Sequence, residues 1–376
     1  MKLRYFTSLV VTMVIIAIST AGAAEFYKEN NNNTLRIYGN ITEGQIFVEN
    51  KTNSDNHMSM KYGLIGKTYI TDKIVGFGVW EQEFNLKNTE SGVNLKNIAY
   101  PILGYIGIKL GDFGSIDYGR NYGVLYDVDS WVDLMPEFGG DMSIPDNFLT
   151  NRASNVVTYR NINFFGLLDG FNFAVQYQGK NDGSSDTGRT VKTENGSGYG
   201  VSASYALGNS GLSASAAYIN CVRTVDQKSL DGAYTSDLAE AYSMGVKYDA
   251  YGAYLAAVYG ESYNLMPFGN FDDVLNSEII FGFVNKARNV AIVAQYKFDC
   301  GFSSLVSYLH SKASDVENGY GNYLKKCVTI SSSYLLSKQL SATVDYRINL
   351  LHKTDFTTVA QINTDNMIAL GVSYLF

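Results

Sequence analysis

Three cysteines and three histidines are the side chains here best suited to bind a metal or attack a substrate, and their spacing argues against both. Cys221, Cys300 and Cys327 are odd in number and far apart, so no disulfide framework follows from them. No Cys-x-x-Cys or Cys/His spacing offers a metal site. Each cysteine falls in or beside an expected strand, where a small filler is the simpler reading. His57, His310 and His352 are isolated from one another. A hydrolytic site would need a nucleophile with a positioned base, or paired acids, and neither His57 nor His310 has such companions. No cofactor follows from the sequence.

What stands out instead is the balance of charge and aromatic rings. The 376-residue chain has a formal net charge of −7, the wrong sign for a nucleic-acid binder, with 29 Tyr, 20 Phe and 36 Gly but only 4 Pro. Its mean hydropathy is −0.08. A chain this aromatic yet this polar suits a barrel with one side-chain face in lipid and the other in water.

The two ends agree. Lys2 and Arg4 precede an apolar run from Leu9 to Ile18 and the small residues Ala21-Gly22-Ala23, the pattern of a secretory signal, 1–23, cleaved before Ala24. Losing Lys2 and Arg4 with it takes the charge from −7 to −9. No later run is apolar for 18 residues, so a spanning helix is not expected and a closed barrel is the remaining way to satisfy the backbone in lipid. At the other end Ile368, Leu370, Val372, Tyr374 and Phe376 share one face of a period-two strand, and Ala369, Gly371 and Ser373 the other. A strand that stops on an aromatic resembles the signature read by the outer-membrane assembly machinery, with Phe376 as its last residue.

The elements between follow from alternation. About sixteen strands are expected, the first at roughly 35–49 and the last at 366–376, an even number as single-chain bacterial barrels require. Short connections such as Thr71-Asp72-Lys73, Gly111-Asp112, Gly208-Asn209-Ser210, Ala250-Tyr251, Asp299-Cys300-Gly301 and Ser337-Lys338-Gln339 alternate with longer polar ones such as 181–196, 224–239 and 265–285. That rhythm is the mark of an up-and-down barrel. In the first strand Leu35, Ile37 and Ile41 oppose Arg36, Tyr38, Asn40 and Thr42, and the polar set must look into a wet lumen. The stretch from Tyr126 to Thr150, holding Pro136 and Pro145, contains no spanning strand, and a segment of that kind inside a compact domain is usually functional or disordered.

Longer motifs are more specific. The run Gly114-Ser115-Ile116-Asp117-Tyr118-Gly119-Arg120-Asn121-Tyr122-Gly123-Val124, then Pro136-Glu137-Phe138-Gly139-Gly140-Asp141, Thr158-Tyr159-Arg160-Asn161 and Val293-Ala294-Gln295-Tyr296, resembles the trimeric general diffusion porins of Gram-negative outer membranes. The likeness runs through residues 24–376 in order. It implies an all-β, sixteen-stranded antiparallel transmembrane barrel, a homotrimer amid outer-membrane lipid and lipopolysaccharide, and a third extracellular loop, about 124–150, folded inward to constrict the pore. By the same resemblance Asp133 and Glu137 are the loop's acids, Tyr126 its narrowing aromatic, and Lys61 and Arg152 two bases of the facing wall. Two further wall positions that are usually basic fall on Asn40 and Ile102, which shifts the pore toward cations. Glu90 aligns with an acid that latches a neighbouring subunit and Arg120 with its partner.

The expected function is passive diffusion of small hydrophilic solutes and ions through a water-filled channel. The alternatives are a substrate-specific channel, with Trp131 beginning an aromatic sugar track, and a barrel enzyme.

Overall fold

The computed structural model describes residues 24–29, 33–50, 55–87, 99–139, 142–230, 236–271, 280–315 and 323–376. The expected signal, 1–23, and the latch acid Glu90 lie outside these.

Sixteen antiparallel strands close on themselves. They are β1 (Asn33–Val48), β2 (Asp55–Thr71), β3 (Ile74–Asn85), β4 (Ala99–Leu110), β5 (Ser115–Tyr122), β6 (Arg152–Asn161), β7 (Phe171–Gln178) and β8 (Gly198–Ala206). Then come β9 (Leu212–Val222), β10 (Leu238–Ala250), β11 (Ala253–Tyr263), β12 (Lys286–Lys297), β13 (Phe302–Asp315), β14 (Tyr323–Leu335), β15 (Leu340–Asn349) and β16 (Met367–Leu375). Each pairs with its sequence neighbours, and β16 returns to β1 with Gly371 opposite Gly44 and Tyr374 opposite Ile41. Phe376 seals the seam through two backbone hydrogen bonds of 3.0 Å with Gly39. A short strand, Ala24–Glu29, pairs with β1 ahead of the barrel.

The side chains sort as a two-residue period demands. On β16 the outward Ile368, Leu370, Val372 and Tyr374 are exposed, whereas Ala369 and Gly371 are buried inside. On β7 Val175 and Tyr177 face out and Ala174, Gln176 and Gln178 face in. Glutamines can occupy an inner face because water or other polar groups meet them there.

Tight turns join alternate strands at the end expected to face the periplasm. The β10–β11 turn sits one residue later than the sequence suggested: Tyr251 and Gly252 take φ +55° and +76°, the pair of left-handed residues that lets a two-residue hairpin follow the strand twist. The opposite end holds more structure than the sequence indicated. A small hairpin, Pro267–Gly269 with Phe281–Phe283, lies in the 265–285 connection. One-turn helices, Val225–Ser229 and Asp355–Val359, are each closed by a threonine capping box.

Pro101 marks an irregularity in β4. Glu81 of β3 faces Leu103 and Gln82 faces Pro101, which leaves Ile102 as an extra residue in a bulge. Proline has no N–H to give the ladder, so a bulge is where a strand tolerates it. The bulge turns Ile102 inward beside Leu103, among Tyr38, Ile65, Val79 and Tyr105.

Ile292, at mid-strand in β12 and 48% exposed on the outer face, provides a test of sidedness. Ile292→Arg should lower the unfolding free energy in lipid vesicles by about 2–4 kcal/mol. An unchanged value would mean that this face does not meet lipid.

Candidate functional site: the loop across the barrel interior

Between β5 and β6 the chain leaves the wall and lies against its inner face. It turns at Gly123 and forms one helical turn, α1 (Tyr126–Asp129), in a stretch the sequence read as structureless. The apolar face of that turn explains its course. Val124, Leu125, Val128, Trp131, Val132, Phe148 and Leu149 pack on the small inward residues Ala153, Val156, Ala174, Ala217, Ala241, Ala256 and Val258. Polar bonds fix the register. The Val124 N–H donates to Gln176 (3.0 Å), Ser243 to Asp129 (2.7 Å), and Tyr254 to the Trp131 carbonyl (2.8 Å). Asp127 takes an ion pair from Arg160 (2.8 Å) and a hydrogen bond from Ser202 (2.6 Å).

The far end of the loop reaches β15 and β2. Asp345 accepts from the Glu137 N–H (3.0 Å), Arg347 donates to the Phe138 carbonyl (2.7 Å) and its guanidinium lies 4.6 Å from the Phe138 ring centre. The Glu137 carboxylate accepts from Thr343 (3.1 Å) and sits 3.2 Å from His57 Nε2. A Cβ on Gly371 would collide with that carboxylate, so only glycine leaves it room.

The two loop acids therefore part company. The Glu137 side chain is 3% exposed and lies against the far wall as a tether. Burial pushes its carboxyl up from the ordinary range, partly offset by His57 and Thr343. Asp133 accepts a 2.8 Å hydrogen bond from the Tyr126 hydroxyl. Tyr126 stacks on Tyr122 with ring centres 4.9 Å apart. Burial raises the Tyr126 phenol, with Asp133 adding to the rise and Arg152 opposing it, so the ring lies within electrostatic reach of both charges.

The wall residues are placed as follows. Asn40 faces Lys61 across β1 and β2, and its amide donates to Thr42 (3.0 Å). Lys61 Nζ lies 4.0 Å from Glu83. Ile102 is 1% exposed in its apolar cluster. Arg120 is engaged within its own chain: it grips Asp146 (2.8 Å) and donates to Ser154 (2.9 Å) and to the Pro101 and Ile102 carbonyls. This differs from a free latch partner. Sequence reasoning weighed His57 only as a catalytic candidate, not as a partner of the loop, and passed over Thr343, Asp345 and Arg347. For His57 a signal existed, because it stands four residues before Lys61 in one strand and must share its face. The others belong to a strand more than 200 residues away, and no local pattern pairs them with the loop.

Cys221 and Cys327 are buried and Cys300 is exposed in the β12–β13 turn, and none of the three is in a disulfide among the described residues.

A closed barrel with an apolar outside, a polar inside and a loop lashed across its interior defines a transmembrane channel of the porin type. The chain belongs to the Gram-negative porin family, whose model matches residues 30–376. It is 42% identical to outer membrane porin C of Salmonella typhimurium, with all of both chains covered, and 43% identical to outer membrane protein F of Serratia marcescens over 98% of each. Among solved structures it is similar to Salmonella typhi OmpF in complex with daunomycin, at TM-score 0.84 and 36% identity, covering 94% of this chain and 100% of that one. The protein is thus an outer-membrane porin of the general diffusion type.

Asp129 gives a measurable consequence of loop docking. It is 2% exposed, and burial pushes its carboxyl up to about 7 against the pull of the Ser243 hydrogen bond. An undocked loop would ionise it near the ordinary value of about 3.9. Docking is therefore strongest below about pH 4 and weakens as pH rises toward about 7. Asp129→Asn should become more heat-stable than the parent by up to about 1.4 kcal/mol per pH unit across that window. A difference independent of pH would mean that the carboxyl titrates normally.

Proposed function

We propose that this porin prefers cations over anions, and that its constriction lies between Asp133 and Tyr126 on the loop and Lys61 and Arg152 on the wall. The observation that carries the reading is at the two altered wall positions. Ile102 fills an apolar cluster and Asn40 bonds to Thr42, so neither offers positive charge to the lumen. Asp133 stands on the loop side, held by the Tyr126 hydroxyl. Glu137 serves the same constriction indirectly, by holding the loop in place.

A substrate-specific sugar channel is the weaker reading. Trp131 is 6% exposed and Lys247 lies 4.7 Å from its ring centre, which leaves no open aromatic face to start a track. An enzyme is weaker still, because His57 is occupied by Glu137 and His310 stands between Tyr308 and Tyr323.

We also propose a homotrimer, exported with the signal 1–23 and recognised by the assembly machinery through Phe376. Any latch by Glu90 would have to share Arg120 with Asp146. Lipopolysaccharide phosphates fit the outward cations near the long-loop ends of β12 to β14, where Lys312 and Lys326 flank the Tyr323 ring and Lys286 lies over Tyr263.

Selectivity is read directly as the zero-current potential of single pores in a salt gradient. The parent should favour K⁺ over Cl⁻. Asn40→Lys with Ile102→Arg should shift the permeability ratio several-fold toward anions, since each unit charge at about 8 Å acts with roughly 0.5 kcal/mol on a passing ion. An anion-selective parent would contradict the proposal.

A further inference from the structure

We infer that Glu83 is a specificity-determining residue of this pore, an acid set into the wall that cancels the charge of Lys61. The inference rests on the constriction lying where the preceding reading puts it.

Four residues stand at one height on four neighbouring strands: Asn40 on β1, Lys61 on β2, Glu83 on β3 and Tyr100 on β4, each directly opposite the next. Their parity is inward. Trp80 on β3 is exposed on the outer face, while Val79 and Glu81 are buried on the inner one, and Glu83 follows two residues after Glu81. The Glu83 side chain is 20% exposed and Lys61 32%, so both reach lumen water. Lys61 Nζ lies 4.0 Å from the carboxylate, and the Tyr100 hydroxyl hydrogen-bonds to it. That second bond aims the carboxylate along the row and keeps it from swinging away.

The remaining charges near this row do not replace what Glu83 removes. Glu81, one step along β3, is buried and accepts from Tyr38 (2.7 Å). Arg152 acts on Tyr100 and on Tyr126. To an ion more than a few ångströms away, Lys61 and Glu83 together look like a small dipole lying along the wall, not like a base. Of the two wall bases Lys61 and Arg152, Arg152 then carries the field expected between an acidic loop and a basic wall. A passing cation then meets Asp133 on the loop and a stretch of wall where Glu83 has removed the repulsion of Lys61.

The test is the K⁺/Cl⁻ permeability ratio of single pores in a dilute salt gradient. Glu83→Gln keeps an oxygen for the Tyr100 hydroxyl and removes the charge. The ratio should fall by about two- to fivefold, a range set by one unit charge at roughly 8 Å with partial screening. Glu83→Asp should stay near the parent, and Asp72→Asn, in the exposed β2–β3 turn, should not differ from it. Comparing Lys61→Gln with Lys61→Gln/Glu83→Gln reads the same charge in a second background and remains available if the single variant assembles poorly. A ratio unchanged by Glu83→Gln, or by adding it to Lys61→Gln, overturns the inference. The parent's absolute ratio tests the cation-preference reading separately: an anion-selective parent whose ratio still falls on Glu83→Gln would sink that reading and leave Glu83 as a determinant.

Discussion

In hydrocarbon an unpaired backbone N–H or C=O costs several kcal/mol, and there is no water to relieve it. The pairing of β16 with β1, from Met367 opposite Val48 to Leu375 opposite Asn40, removes the two open edges at once. Much else follows from that closure. A closed sheet has an inside, two-residue alternation assigns each side chain to it or to lipid, and connections become short or long according to the end on which they fall.

Closure also creates a difficulty, because a barrel of sixteen strands is too wide for its own side chains to fill. The loop from Gly123 to Asn151 occupies part of that space by behaving like a core. Its apolar side lies on alanines and valines of the inner wall, while its backbone and acids bond to Gln176, Ser202, Ser243, Thr343 and Asp345. Fixed at α1 and again at Phe138 by Arg347, it carries Tyr126 on the first anchor and Asp133 between the two. Rigidity of the loop thus comes from packing and hydrogen bonds at both ends of the Tyr126–Phe138 stretch.

The architecture was largely legible in the sequence because period two is a local signal. The inward set Tyr38, Asn40, Thr42 and the outward set Ile368, Leu370, Val372 can be read one strand at a time, and the strand count follows from the turns. The contacts of the loop were legible only in part. Motifs around Pro136-Glu137-Phe138 pointed to the loop acids, but whether a carboxylate faces water or a wall depends on what the opposite strand carries. Glu137 meets His57 and Thr343, partners 80 and 206 residues away, so its burial could not be foreseen. Glu83 was missed for a related reason. Its meaning lies in standing opposite Lys61, a matter of register between strands. Ile102 was noticed as a lost base, yet its place in an apolar cluster depends on the bulge that Pro101 imposes.

The central claim is that current passes the Asp133–Tyr126 side of the anchored loop. It is tested most directly by placing a thiol there, in a background with the exposed Cys300 replaced by serine and the buried Cys221 and Cys327 left in place. Asp133→Cys pores in a planar bilayer, treated with a bulky methanethiosulfonate reagent, should lose most of their current in discrete steps, one per pore, and regain it on reduction. Complete modification of the introduced thiol with undiminished current would place the conducting path elsewhere and contradict this account of the constriction.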